Sequence, residues 1–228
     1  MSEIRATTRL VGLLGWPVEH SLSPAMQNAA FVALHLDWAY VPLPTRPERL
    51  AAAVRGLVAL GFVGANVTAP HKLEVTQFCE TDAPSVNTLV VREDRVEGWT
   101  TDTAILAELA AENAVILGDG GSATAFAQAL PDARRYSRGS DWPPDVEGAD
   151  LVVNATSARD VVLVELGPGQ TLVDLPYPET ATAAAATRSG ATVVGGLEVL
   201  VAQGAASFEL WTGIAAPVQA MRKAVRAK

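Results

Sequence analysis

The stretch NVTAPHK, residues 66–72, ends an apolar segment with a lysine, Lys72. The other two lysines, Lys223 and Lys228, lie at the C-terminal end of the printed sequence, and arginine supplies the remaining positive charge. Arginine stays protonated in proteins, whereas burial or neighbouring charge can make a lysine lose its proton. The use of lysine at this position therefore indicates a group that transfers a proton, with an ordinary surface lysine as the alternative.

Polar side chains accompany this lysine at the ends of predicted elements. Asn66 and Thr68 point to one side of a strand that Pro70 stops, and the carboxyl edge of an open α/β sheet is where ligands bind. Further polar pairs in the same half of the chain are Ser21 and Ser23, Asn87 and Thr88, and Thr101 and Asp102. Taken singly, Ser23 and Asp102 fit helix N-caps and Asn87 fits a turn. Together, these groups would line a pocket for a polyhydroxylated ligand, with one cation and one carboxylate.

A glycine turn forms the second candidate site. Gly118, Gly120 and Ala123 fit the pattern G-x-G-x-x-A between a buried strand and a helix. In that context the glycines let the backbone approach a pyrophosphate, which faces the helix N-terminus. A tight turn without a ligand is the alternative.

The charges near this turn bear on the choice of cofactor. NAD-binding domains usually place an acid about 20 residues further on, where this chain has Arg138. A cation there suits a 2′-phosphate and so favours NADP, although a solvated charge at a strand end explains it equally well. Asp119, inside the turn, would repel a pyrophosphate unless it points away.

The order of elements predicts an α/β fold. Apolar runs alternate with helical patterns, which indicates right-handed βαβ units and a mostly parallel sheet, while TLVVREDRVEGW, residues 88–99, predicts a hairpin. The alternation restarts near residue 103. We therefore expect a βα substrate-binding domain over residues 1–102, completed by C-terminal helices over 203–228. A reduced Rossmann-like dinucleotide-binding domain would occupy residues 103–202.

Composition limits the possible partners. The net charge of −8 argues against nucleic acid, and the single cysteine, Cys79, excludes an intramolecular disulfide. With one cysteine and three scattered histidines, the sequence shows no metal cluster. It also shows neither a membrane span nor the apolar region of a signal peptide. We expect a cytoplasmic protein with a small-molecule substrate, present as a monomer or a homodimer.

The chain resembles the shikimate dehydrogenase family. The matching stretches run in family order from about residue 11 to residue 213. They are GLLGWPVEHSLSPAMQNAAF, GFVGANVTAPHK, SVNTLVV, TTD, VILGDGGSATA, VVNAT, DLPYP and GLEVLVAQGAASFELWTG. This resemblance implies the NADP-linked interconversion of 3-dehydroshikimate and shikimate, a step of aromatic amino-acid biosynthesis. The alternatives are a quinate or amino-shikimate dehydrogenase and a shikimate-binding protein that has lost the cofactor.

The resemblance also implies roles for individual residues. Lys72 and Asp102 would be the catalytic pair, with either of the two as the group that transfers the proton, and Ser21 and Ser23 would hold the substrate carboxylate. The ring hydroxyls would be surrounded by Asn66, Thr68, Asn87, Thr101, Tyr177 and Gln203. The NADP-binding stretch would comprise Gly118, Gly120, Gly121, Ser122, Ser137 and Arg138, and Gly196 and Val199 would lie in the segment that closes over the nicotinamide.

Departures from the family pattern cluster on the cofactor side. The link GSDWPPDVEGAD, residues 139–150, replaces what is normally a helix, and we expect it to close without one. Tyr136 and Trp142 would then cover the exposed face of the sheet. Thr100 and Val199 also differ from the usual residues. The substrate side is therefore better matched than the cofactor side.

Overall fold

The computed structural model describes residues 3–139 and 141–227. The chain divides into two compact units. The first comprises Met1–Thr101 with Val201–Lys228, and the second comprises Asp102–Leu200. These bounds differ from the sequence-based ones by one or two residues and place Asp102 in the second unit. The assignment of the units to substrate and to dinucleotide stays a prediction.

The first unit is built on a five-stranded sheet in the order β2-β1-β3-β4-β5. Strands β1 (Arg9–Gly15), β2 (Trp38–Pro44) and β3 (Gly64–Val67) are parallel, as the βα pattern predicts. Strands β4 (Thr88–Arg92) and β5 (Arg95–Trp99) form the predicted antiparallel hairpin. Because β4 also runs antiparallel to β3, it begins at the edge where the parallel strands end.

Among the described residues, the α-helices that accompany this sheet are α1 (Ser23–Ala33), α2 (Leu50–Ala59), the C-terminal part of α5 (Gly196–Thr212), and α6 (Val218–Arg226). The prediction that Ser23 caps α1 is wrong. The backbone is already helical at Leu22, which occupies the cap position, so Ser23 lies inside the first turn. Its amide donates to Ser21 Oγ at 3.3 Å.

The core of the first unit fixes the helices against the sheet. Leu50, Val54 and Leu57 of α2 are at most 2 % exposed and pack with strand residues in one cluster. In α5, the Trp211 indole donates from Nε1 to the Leu89 carbonyl at 2.9 Å. An aromatic side chain whose polar atom is satisfied in this way anchors α5 to β4.

The second unit has a fully parallel sheet in the order β10-β9-β8-β6-β7. Its strands are β6 (Ala114–Leu117), β7 (Arg134–Tyr136), β8 (Leu151–Asn154), β9 (Thr171–Asp174) and β10 (Thr192–Val194), with helices α3 (Gly121–Ala129) and α4 (Ala181–Arg188). From β6 the chain continues to β7 at one edge of the sheet, and from β8 it continues through β9 to β10 at the opposite edge. This Rossmann-like arrangement creates a switch point between β6 and β8, where such sheets bind ligands.

The link after β7 contains no helix among its described residues, as predicted from its length. Tyr136 and Val146 pack against the core cluster of the second unit. Trp142 departs from the expectation, because it is 36 % exposed and lines a cavity instead of joining this cluster.

Within residues 3–139 and 141–227, none of the helices combines the length and the apolar character that a membrane crossing requires. The same ranges hold no group of three or more His, Cys, Asp or Glu side chains placed to bind a metal ion.

Candidate functional site

The loops that leave the first sheet are tied to one another at its carboxyl edge. The Thr68 amide donates to the Leu14 carbonyl at 2.8 Å, and the Thr45 amide donates to the Gly15 carbonyl at 2.8 Å. The Trp16 amide donates to the Ala69 carbonyl at 3.1 Å. These bonds fix the backbone of the segment that carries Thr68 and Lys72.

His71 anchors the segment immediately before Lys72. Its side chain is fully buried, and its Nε2 lies 2.7 Å from the Thr45 carbonyl oxygen. Because a carbonyl oxygen only accepts, Nε2 carries the hydrogen in this bond. The Lys72 carbonyl in turn accepts from the Val86 amide at 2.9 Å. The backbone of the half-buried Lys72 is thereby held from both sides.

Six buried or half-buried polar side chains meet at this edge, and we call them the polar cluster: Asn66, Asn87, Thr88, Thr101, Gln203 and Ser207. Asn87 bonds to two other predicted substrate residues, Thr101 and Gln203. Its Nδ2 donates to Thr101 Oγ1 at 2.9 Å and to Gln203 Oε1 at 3.4 Å, while its Oδ1 accepts from the Thr101 amide at 2.7 Å. Amide and hydroxyl groups from the segment before β4, the segment after β5, and α5 thus converge.

Asn66 lies in the buried part of the polar cluster and is 4 % exposed. Its Oδ1 accepts from the Tyr40 hydroxyl at 2.9 Å. Its Nδ2 lies 3.1 Å from the Asn87 carbonyl, 3.1 Å from Thr88 Oγ1 and 2.9 Å from Ser207 Oγ. Both ends of the amide are therefore bonded within the protein.

Sequence reasoning missed Tyr40 and Ser207. The available signal for Ser207 was its position four residues after Gln203, which places both on one face of a helix. Ser21 and Ser23 follow β1 in the same unit, with Ser23 5 % exposed.

Asp102 belongs to the second unit and is 6 % exposed. Ser122 Oγ, in the first turn of α3, donates to Asp102 Oδ2 at 3.2 Å. The family resemblance implies that Ser122 is a cofactor residue. The structure shows in addition that it bonds to the predicted catalytic carboxylate.

The glycine turn has the backbone geometry that its sequence pattern requires. Gly118 has φ +124°, and a Cβ there would lie 3.0 Å from the Ala155 carbonyl oxygen. Gly120 is the N-cap of α3, and a Cβ at that position would have no heavy atom within 4 Å. The turn is held by Arg135, whose Nε donates to the Gly118 carbonyl at 3.0 Å. Open space thus lies beside the N-terminus of α3.

A cavity of about 400 Å³ opens at this turn, at the switch point of the second sheet. It is lined by Gly118, Asp119, Gly120, Ser137, Arg138, Trp142 and residues 155–158. Of the three arginines in residues 134–138, Arg138 lines the cavity, Arg135 holds the turn, and Arg134 pairs with Asp145 at 3.2 Å. The open turn, the helix N-terminus and one cation fit a phosphate-bearing dinucleotide, whereas Asp119 opposes it.

Buried polar residues hold the loop after β8 that lines this cavity. Asn154 Nδ2 donates to Asp174 Oδ1 at 2.7 Å, and Thr180 Oγ1 donates to Asp174 Oδ2 at 2.8 Å. Asn154 Oδ1 accepts from the Thr156 amide and hydroxyl at 3.1 and 2.7 Å. Burial raises the pKa of the Asp174 carboxyl above its ordinary value, against the opposing effect of the two donors.

The remaining predicted residues of the second unit follow β9 or begin α5. Tyr177 is half-buried, and Val199 is 6 % exposed. Gly196 approaches the Leu175 and Pro176 carbonyl oxygens so closely that a side chain would collide with backbone. Glycine is therefore required for packing at 196, and the ligand roles of all three residues stay predictions.

Comparison with known proteins gives family matches at both ends of the chain. Residues 13–89 match the model described as shikimate dehydrogenase substrate binding domain, and residues 196–226 match the shikimate 5′-dehydrogenase C-terminal domain. The protein named shikimate dehydrogenase (NADP(+)) of Moorella thermoacetica is 39 % identical, over 99 % of this chain and 95 % of its own. That of Anaeromyxobacter sp. is 40 % identical over 98 % of each chain.

Solved structures of proteins named shikimate dehydrogenase also align with this chain. The shikimate dehydrogenase of Aquifex aeolicus aligns with a TM-score of 0.87 at 28 % identity, covering 98 % of this chain and 100 % of its own. The shikimate dehydrogenase of Thermus thermophilus, solved in complex with NADP(H) and shikimate, aligns with a TM-score of 0.84 at 28 % identity. This alignment covers 96 % of this chain and 99 % of the Thermus chain. The alignment to the Moorella protein spans 281 residues, so this 228-residue chain lacks segments present in that relative. The chain belongs to the shikimate dehydrogenase family.

Proposed function

We propose that this protein is an NADP-dependent oxidoreductase that interconverts 3-dehydroshikimate and shikimate. The observation that carries the proposal is the similarity, over nearly the whole chain, to relatives named shikimate dehydrogenase (NADP(+)). The first unit would bind the substrate and the second the cofactor. The polar cluster supports this division, because amide and hydroxyl groups at one sheet edge suit a ring that bears several hydroxyls.

On the substrate side, Ser21 and Ser23 would bind the carboxylate. The ring hydroxyls would be bound by Thr68, Asn87, Thr101, Tyr177 and Gln203. The family resemblance places Asn66 among the same residues. The hydrogen bonds from Asn87 to Thr101 and Gln203 support the proposal that these three residues bind ring hydroxyls. They fix the direction in which each group presents a donor or an acceptor.

For the chemistry, we assign the proton transfer to Lys72, with Asp102 as its acidic partner. NADP⁺, when bound, supplies the acceptor for the hydride of the alcohol carbon. During oxidation the substrate hydroxyl loses its proton, which neutral Lys72 would accept. In the opposite direction the Lys72 ammonium would stabilise the charge that develops on the ketone oxygen and would return the proton.

On the cofactor side, the turn of Gly118, Gly120 and Gly121 with the N-terminus of α3 would hold the pyrophosphate. Ser122, Ser137 and Arg138 would complete this part of the site, with Arg138 at the 2′-phosphate, and Gly196 and Val199 would lie at the nicotinamide. The cavity beside the glycine turn supports this assignment. The shortened link and Asp119 favour the second candidate function, a shikimate-binding protein that lacks the cofactor.

One experiment separates the candidates. Purified protein is mixed with shikimate and NADP⁺, the absorbance of the reduced cofactor is followed, and quinate and NAD⁺ serve as controls. Binding of shikimate is measured in parallel by calorimetry. We expect turnover with shikimate and NADP⁺. Turnover with quinate but not with shikimate would show that quinate is the substrate. Binding of shikimate without turnover, under any pairing of substrate and cofactor, would show that the protein is a shikimate-binding protein and not an enzyme.

A further inference from the structure

Ser207 bonds to three other side chains of the polar cluster and to one backbone carbonyl. Its Oγ lies 2.9 Å from Asn66 Nδ2, 2.8 Å from Thr88 Oγ1 and 3.1 Å from Thr101 Oγ1, and it donates to the Gln203 carbonyl at 2.9 Å. The side chain is fully buried. One hydroxyl therefore joins β3, β4, the segment after β5, and α5.

The chemistry of these groups sets the direction of the bonds. A serine hydroxyl has one hydrogen and two acceptor positions, and an amide nitrogen can only donate. With its hydrogen on the Gln203 carbonyl, Ser207 accepts from Asn66 and from one threonine hydroxyl. Thr101 Oγ1 accepts from Asn87 Nδ2 at 2.9 Å, and its own hydrogen has two acceptors in reach, Ser207 Oγ at 3.1 Å and Asn87 Oδ1 at 3.2 Å. The bonding of Ser207 thereby influences how Thr101 and Asn87 are oriented.

Asn66 has little capacity left for a ligand. It is 4 % exposed, its Oδ1 is bonded to Tyr40, and its Nδ2 has three acceptors within 3.1 Å. Its amide is consequently fixed in one orientation, with Nδ2 directed at Ser207 and Thr88.

We propose that Ser207, together with Asn66, is a positioning residue for the substrate site. The pair does not contact the substrate; it holds Asn87 and Thr101 in the orientation in which they bind the ring hydroxyls. This inference rests on the proposed function and changes the role of Asn66 from a direct ligand to a support behind the ligands.

The test is Ser207→Ala, a substitution that a helix interior tolerates well. We expect the KM for shikimate and its Kd by calorimetry to rise about fivefold to tenfold, with kcat within about twofold, because ground-state binding is what the network supports. Thr212→Ala is the matched control, since Thr212 Oγ1 bonds to the Phe208 carbonyl on the same helix, outside the cluster. Its KM and Kd should equal those of the parent.

Thr88→Val removes the hydroxyl on β4 that contacts Ser207. This variant provides a second test if Ser207→Ala folds poorly. The two substitutions should be strongly non-additive, with the double variant close to the worse single one. If the parent protein is active, two results would overturn the proposal. One is a Ser207→Ala variant whose KM and Kd equal those of the parent, and the other is a double variant in which the two effects are fully additive. A parent that neither turns over nor binds shikimate would overturn the proposed function and this inference with it.

Discussion

Arg138 is the residue on which the preference for NADP should depend. Of the three arginines in residues 134–138, it alone lines the cavity at the glycine turn, and its side chain is exposed. A hydrogen bond to a charged group contributes about 1.5–3 kcal/mol, and screening by salt at an exposed position favours the lower part of that range. About 1.5–2 kcal/mol corresponds to a change in Kd of roughly 10- to 30-fold.

The perturbation is Arg138→Leu, and the assay is calorimetric titration with NADP⁺ and, separately, with NAD⁺. The Kd for NADP⁺ should rise by about 10- to 30-fold, whereas the Kd for NAD⁺, which lacks the 2′-phosphate, should stay within about twofold. Arg134→Leu is the control, because Arg134 lies in β7 and pairs with the exposed Asp145. Equal losses for both cofactors, or an unchanged Kd for NADP⁺, would refute the assignment of Arg138.

Four further predictions concern Asp119, Cys79, Gly56 and Gly64. Asp119→Asn should tighten NADP⁺ and NAD⁺ binding alike, by about threefold to tenfold in calorimetry, because it removes a like charge from the cavity. Burial raises the pKa of the Cys79 thiol from 9.0 to about 11, so at pH 8 a thiol-specific reagent should modify the native protein about 100-fold more slowly than the unfolded chain. The stability that this burial contributes should be complete below pH 9 and be lost as the pH rises through 11. In urea denaturation, Gly56→Ala should raise the free energy of unfolding by about 1 kcal/mol, because Gly56 lies inside α2 with open space around it. Gly64→Ala should lower it by about 1–3 kcal/mol, because the new methyl meets the Leu89 carbonyl and Trp211 Nε1.

Much of the fold was predictable because local signals agree with the tertiary structure. Apolar runs bounded by glycine and proline became strands, and the charged turn in residues 88–99 became a hairpin. The glycine turn adopted the backbone conformation that its spacing predicts, with a positive φ at Gly118. The fold class and the order of elements are therefore predictable from the sequence.

The contacts inside the site were less predictable because they join distant residues. Ser207 and Asn66 are 141 positions apart in sequence, and the spacing of Ser207 from Gln203 does not show which distant side chains it meets. Tyr40 was missed for the same reason. At Ser23, a local rule failed because the preceding backbone was already helical. Trp142 belonged to a link whose path depends on the packing of the whole second sheet.

The central claim is that Lys72 transfers the proton, and kcat for shikimate oxidation in Lys72→Ala tests it most directly. Lys223→Ala is a matched control, because Lys223 is an exposed lysine on α6. The account predicts that kcat falls by about 10²- to 10⁴-fold in Lys72→Ala and is unchanged in Lys223→Ala. A Lys72→Ala variant that retains activity within a few-fold of the parent would contradict it.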